Sequence, residues 1–210
     1  MTAKVGSSTV CSQFLLLKED SVKMTGIFFA TGFEEVEALT SVDLLRRAGV
    51  PVSMISVTSD LMVKGARGIT VETDALIEDI DWKSLDAIVL PGGNPGFSNL
   101  SKCELLMAKA EEFAGDKSRL LAAICGAPSI LGKRGILKGR TATVYPGMDE
   151  LLVGAKVSHK SVVRDGNLIT SRGVGTAIDF ALALVEYYKG AETAKSIAES
   201  IVYPGEENDL

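Results

Sequence analysis

Cys125 stands where an apolar run, Leu120-Leu121-Ala122-Ala123-Ile124, gives way to Gly126-Ala127-Pro128. Five apolar residues followed by small ones predict a buried strand that turns directly into a helix. A thiol at such a turn faces a helix N-terminus, whose positive end favours the thiolate, the nucleophilic form of cysteine. The small residues after it leave room for the backbone to turn and for a reactant to approach. An ordinary buried cysteine satisfies the same pattern, so the neighbours must decide between the two.

Glu34, Glu35 and Glu37 open a second segment with chemical potential. A protonated carboxyl there can donate to a thiolate, and in either state it can exchange a proton with a substrate. Helical spacing places only Glu34 and Glu37 on one face. All three also suit plain neutralisation of a helix dipole. Gly92 and Gly93, in Leu90-Pro91-Gly92-Gly93, can offer backbone N–H groups to an oxyanion, as can Gly126 after the cysteine. A Pro-Gly-Gly segment also serves simply as a turn, and it forms neither a GxGxxG fingerprint nor a Walker motif.

Ser171-Arg172-Gly173-Val174-Gly175-Thr176 pairs two further glycines with Thr176, which suits a helix N-cap. The single histidine, His159, lies in the polar stretch Val157-Ser158-His159-Lys160. A Cys-His hydrolase needs its imidazole beside the thiol, and nothing in the spacing places His159 there. It reads as solvent-exposed, and Cys103 as a surface or half-buried thiol.

The elements that must position these residues alternate in type. Strands are expected at 26–30, 51–57, 86–90 and 119–124, with an edge hairpin over 60–77 and shorter strands at 141–144, 161–163 and 168–170. Helices are expected at 34–49, 97–114, 126–135, 178–189 and 193–201. The first has acids in its first turn, arginines in its last and Gly49 as its stop. Strands alternating with helices imply an α/β domain with a parallel sheet and right-handed crossovers. In such a sheet ligands meet the carboxyl ends of the strands. That rule gathers the turns at 34–37, 92–93, 125 and 171–173 on one rim.

The 210 residues suit one domain, expected over 24–210 after a loosely held extension over 1–23 that contains Cys11. With 46% hydrophobic and 23% charged residues and a formal charge of −5, the chain lacks the concentrated basic character of a nucleic-acid binder. Three cysteines make no disulfide framework, and the absence of a CxxC pair or His/Cys cluster argues against a metal site. Reduced thiols and the lack of an apolar run near ~20 residues point to a cytoplasmic protein that does not cross a membrane.

Taken together, these motifs resemble the ThiJ/PfpI superfamily and, within it, its DJ-one branch. Gly32-Phe33-Glu34-Glu35-Val36-Glu37 is similar to the family's acidic motif, whose last glutamate contacts the reactive cysteine. Leu90-Pro91-Gly92-Gly93 is similar to its glycine turn, Ala122-Ala123-Ile124-Cys125-Gly126-Ala127-Pro128 to its nucleophile elbow, and Thr170 to Thr176 to its late glycine motif. The resemblance spans Met24 to about Val202.

It implies a flavodoxin-like three-layer sandwich with a mainly parallel central sheet, usually as a homodimer. It also implies a cysteine, here Cys125, that works with Glu37 and oxidises readily to a sulfinate held by that glutamate. Glu34, Arg67, Tyr145 and Ala127 would stand around the pocket, with Arg67 near the pocket of the partner subunit. The implied activities are cofactor-free glyoxalase action on a small 2-oxoaldehyde such as methylglyoxal, deglycation of its adducts, chaperone-like action and protection against oxidative stress. Two departures stand out. Gly126 occupies the position where related peptidases carry a histidine, and Tyr145 stands where many DJ-one proteins carry one in the pocket. Tyrosine can hydrogen-bond there but is no base near neutral pH.

Overall fold

Short, continuous apolar runs become strands in this protein because both faces of its main sheet are covered. A computed structural model describes residues 24–204. The expected extension with Cys11, and the last residues of the expected 24–210 domain, lie outside the described residues. In chain order, β1 (Met24–Phe29) is followed by α1 (Glu35–Arg47), β2 (Val52–Ser56), β3 (Met62–Lys64), β4 (Thr70–Glu72), β5 (Ala75–Leu76) and β6 (Leu85–Leu90). Then come α2 (Gly96–Ser101), α3 (Glu104–Gly115), β7 (Leu120–Ile124), α4 (Ala127–Lys133), β8 (Thr141–Ala142) and β9 (Lys156–Val157). The hairpin of β10 (Val162–Asp165) and β11 (Leu168–Ser171) precedes α5 (Ala177–Lys189) and α6 (Ala191–Ser200).

Seven strands form the main sheet in the order β10-β11-β7-β6-β1-β2-β5. Every pair is parallel except β10 with β11. Strand periodicity divides the side chains cleanly. Ile27, Phe29, Ala87, Val89, Leu120, Ala122 and Ile124 face one core, shared with α1, α5 and α6. Phe28, Ile88, Leu90, Leu121 and Ala123 face the other, shared with α2, α3 and α4. Each fully buried Leu, Ile or Phe on these strands contributes about 1.5–3 kcal/mol. The expected three-layer α/β sandwich with a mainly parallel sheet is therefore the observed one.

Three expectations need correction. Residues 60–77 do not form an edge hairpin of the main sheet. β3 and β4 pair only with each other, because β5 takes the place beside β2. The single helix expected over 97–114 is two helices, separated at Lys102 and Cys103. The Ser101 hydroxyl donates to the Ser98 carbonyl at 2.7 Å, a local bond that competes with helix continuation. The strand expected over 141–144 is shorter and pairs with β9, outside the main sheet.

One side chain anchors the strand that carries the cysteine. Asn167 Nδ2 donates at 3.0 Å to the carbonyls of Phe113, Asp116 and Arg119, and the Asn167 carbonyl receives the Leu121 N–H at 2.9 Å. The exit from α3 and the entry to β7 are thus held by one buried residue, which fixes where β7 begins.

Candidate active site

At the carboxyl end of β7 the backbone reverses at Cys125, which adopts φ 64°. Left-handed backbone is costly for a residue with a Cβ, on the order of 1–2 kcal/mol, and it persists only where the surroundings impose it. Here both of its peptide groups are pinned. The Cys125 N–H donates to the Ser171 carbonyl at 3.0 Å, and the Cys125 carbonyl accepts from the Tyr145 N–H at 2.9 Å. The flanking glycines leave the thiol its space. A Cβ on Gly92 would stand 2.6 Å from Cys125 Cβ and 3.0 Å from Sγ, and one on Gly126 would stand 2.8 Å from the Phe97 ring.

The three glutamates divide into three roles. Glu34 is the N-cap of α1, and its Oε2 accepts from the Glu37 N–H at 2.9 Å. Glu35 turns to the β3–β4 ribbon, where its Oε1 accepts from the Arg67 N–H at 2.6 Å. Glu37, fully buried, stands beside the thiol: a Cβ on Gly92 would lie 2.8 Å from Glu37 Oε2 and 3.0 Å from Cys125 Sγ. Its Oε2 accepts from the Gly92 N–H at 2.9 Å, while Oε1 has no partner among the described residues. Gly92 is therefore not the oxyanion donor expected from the sequence, because its N–H already serves Glu37. Gly93 and Gly126 line the cavity beside Cys125.

Protonation of the pair departs from a simple helix-terminus picture. Burial pushes the Glu37 carboxyl up to about 7, against the pull of the Gly92 N–H and the Cys125 contact. Burial first, and then the nearby Glu37 carboxylate, pushes the Cys125 thiol up to about 12. The N–H groups of Gly126 and Gly93 act in the opposite sense and lose. A resting thiolate favoured by the helix is therefore not what the structure supports; α4 is only 7 residues long and starts beyond Gly126. The two groups titrate as one coupled unit. When Glu37 holds the proton its charge no longer opposes the thiolate, and when it is ionised it is the base beside the thiol.

The rim expected from the strand-end rule exists. A cavity of about 790 Å³ is lined by Glu34, Glu37, Gly93, Cys125, Gly126 and Tyr145, and also by Arg67 and Arg172 to Thr176. Arg67 lines this chain's own cavity, brought there by Glu35 and by the Ala66 N–H bond to the Phe33 carbonyl at 2.8 Å. Ala127 does not line the cavity. It is fully buried in the core under the sheet, because the first turn of α4 points its small side chain inward.

Thr176 precedes α5 without capping it by a side-chain bond. Its hydroxyl accepts instead from the Arg172 and Gly173 N–H groups at 3.3 and 3.2 Å, holding the late glycine turn. His159 lies away from the thiol, largely exposed, and faces Asp149 at 3.8 Å. Among the described residues no cluster of three His, Cys, Asp or Glu side chains is placed to hold a metal, and no helix is long and apolar enough to cross a membrane.

Sequence reading missed Asn94, Phe97, Pro146, Met148, Ser161 and Val174, all of which line the cavity. Phe97 carries a trace of a signal, since it follows the Gly92-Gly93 turn at the strand-end rim. Pro146 and Met148 follow Tyr145, but nothing local marks them as pocket residues. Arg172 donates from Nη1 to the His159 carbonyl at 3.1 Å, and its Nε is buried without a partner among the described residues.

The same fold occurs in known proteins. Protein dj-1beta of Drosophila melanogaster is 37% identical over 180 residues, 84% of this chain and 95% of that one. Its crystal structure superposes with a TM-score of 0.81, covering 86% of this chain and 97% of that chain at 35% identity. Glutathione-independent glyoxalase DJR-1.2 of Caenorhabditis elegans is 34% identical over 171 residues, 80% of this chain and 89% of that one. Protein DJ-1 homolog A of Arabidopsis thaliana is 40% identical over 85% of this chain, which spans only 47% of that longer protein. The model of the DJ-1/PfpI family matches residues 23–187, which takes in the elbow at Cys125, the carboxyl of Glu37 and the glycine turns around them. By that match and by these relatives, the chain belongs to the DJ-1/PfpI family.

Proposed function

We propose that this protein is a cysteine-dependent, cofactor-free glyoxalase that converts 2-oxoaldehydes such as methylglyoxal, free or as adducts, to 2-hydroxy acids. The observation that carries the reading is the placement of Cys125 and a buried Glu37 against the same Gly92 in an open cavity, with Glu37 Oε1 unpartnered among the described residues. The name of the nematode relative supports it.

Ionised Glu37 takes the thiol proton as Sγ attacks the aldehyde carbon, and the oxygen that becomes negative meets the N–H groups of Gly93 and Gly126. Return of the proton to that oxygen gives a hemithioacetal. Glu37 then removes the hydrogen on the former aldehyde carbon as a proton and delivers one to the neighbouring carbon. The result is a 2-hydroxy thioester, which water cleaves to the hydroxy acid and the free thiol. The purified protein should form lactate from methylglyoxal without glutathione. Absence of lactate in that assay would sink the proposal.

A second reading uses the same thiol as an oxidation sensor in the response to oxidative stress. It is favoured by the left-handed turn that holds Cys125 in the open cavity beside Gly93 and Gly126, whose N–H groups suit the oxygens of a sulfinate. Under mild peroxide, peptide mass spectrometry should find added oxygen on Cys125 well ahead of Cys103. Equal modification of the two would count against it.

A further inference from the structure

The cavity is far roomier than a three-carbon aldehyde requires. Its volume of about 790 Å³ falls among pockets that enclose drug-sized ligands, about 300–1,000 Å³. Charge does not explain that space: Glu34 and Glu37 are balanced by Arg67 and Arg172 around it. Its walls carry apolar side chains instead, from Phe97, Tyr145, Pro146, Met148 and Val174.

Two of these side chains are aromatic rings laid on glycine backbone next to the reacting groups. The Phe97 ring covers Gly126, the residue after Cys125, with Cδ1 and Cε1 2.8 Å from where a Cβ would stand. The Tyr145 ring covers Gly173, with Cδ2 3.5 Å from the corresponding point, and Glu37 Oε1 lies 3.9 Å from that same point. One ring therefore adjoins the nucleophile and the other adjoins the free oxygen of the carboxyl. Tyr145 is also half-exposed, so a ligand that covers it removes apolar surface from water.

We propose that Phe97 and Tyr145 form a two-ring seat for the substituent on the ketone carbon, so that 2-oxoaldehydes with an aryl group are preferred over methylglyoxal. Aromatic rings gain from one another beyond the area they bury, whereas a methyl group offers little area and no ring to either wall. The inference rests on the glyoxalase reading of Cys125 and Glu37 and specifies its substrate class. With phenylglyoxal the product is mandelate. The aldehyde carbon is oxidised to the carboxylate while the ketone carbon is reduced to the alcohol, water supplies the added oxygen, and no outside oxidant is used.

The test has a kinetic arm and a binding arm. In initial-rate assays the parent protein should show kcat/KM for phenylglyoxal at least about tenfold above that for methylglyoxal, mostly through KM. Tyr145→Phe should keep that ratio, and Tyr145→Ala should bring it to within about threefold of unity. A parent ratio near one, or a ratio that Tyr145→Ala leaves unchanged, overturns the seat. Calorimetric titration of the Cys125→Ser protein should show mandelate binding at least about tenfold more tightly than lactate. Equal affinities overturn the seat even if methylglyoxal is turned over. Tighter mandelate binding to the Cys125→Ser protein, with a parent protein that consumes neither aldehyde, upholds the seat and refutes the glyoxalase reading instead.

Discussion

Cys103 and Cys125 both lie just ahead of a helix and both are half-buried, but their surroundings diverge. Cys103 is the N-cap of α3, has φ −80° and packs at the margin of a hydrophobic core. Cys125 has φ 64°, stands with the Glu37 carboxyl against Gly92 and opens into the cavity. Proximity to a helix N-terminus is common to both and therefore cannot be what distinguishes them. What distinguishes Cys125 is a carboxyl from α1, a turn from the end of β6 and a left-handed backbone that the neighbouring strand ends hold in place.

The largest effect expected from this contrast is on turnover. Cys125→Ser should lower kcat/KM for lactate formation by about 10³-fold or more, whereas Cys103→Ser should stay within about twofold of the parent. Comparable losses in the two variants would break the contrast.

The next effect isolates the carboxyl. Glu37→Gln should reduce kcat by about 10²–10⁴-fold. The parent's rate should rise with pH through about 7, because Glu37 must be ionised to take the thiol proton. A rate profile in which that rise survives Glu37→Gln would remove Glu37 from the proton path.

The smallest effect is on stability, and its sign is opposite to that on activity. The Glu37 carboxyl is raised from an ordinary 4.5 to about 7 in the fold. The folded state is thus favoured by the neutral carboxyl below about 4.5, and that advantage is lost as pH rises through about 7. Near pH 8 the buried charge is a cost, so Glu37→Gln should be more stable than the parent there by about 1–3 kcal/mol. Denaturant titrations at about pH 8 and pH 5 should show the difference shrinking at the lower pH. A constant difference would mean that Glu37 is not the group responsible.

Much of the framework was legible locally because it depends on local causes. The apolar runs at β1, β6 and β7 declare strands covered on both faces, and the acids, arginines and Gly49 bracket α1. Cys125 at the end of β7 was legible as an elbow, since strand, thiol and small residues follow one another directly. The choice among Glu34, Glu35 and Glu37 was not. Helical spacing groups Glu34 with Glu37, yet Glu34 is consumed as a cap and Glu35 by the β3–β4 ribbon. Gly92 and Ala127 show the same limit: one N–H goes to Glu37 and one methyl to the core, and neither destination is encoded in its own neighbourhood.

The sequence by itself determined the α/β sandwich, the position of the elbow and the four turns that meet at one rim. Each follows from periodicity, from turn chemistry and from the rule that parallel strands end together. Only the tertiary structure decided which carboxyl stands beside the thiol, which glycine N–H serves that carboxyl, and that burial outweighs the helix end in setting the protonation of Cys125 and Glu37. The physical reason is that hydrogen bonding and desolvation depend on what surrounds an atom. Around Cys125 the surroundings come from segments far apart in the chain, from Glu37, Gly92, Phe97, Tyr145 and Ser171.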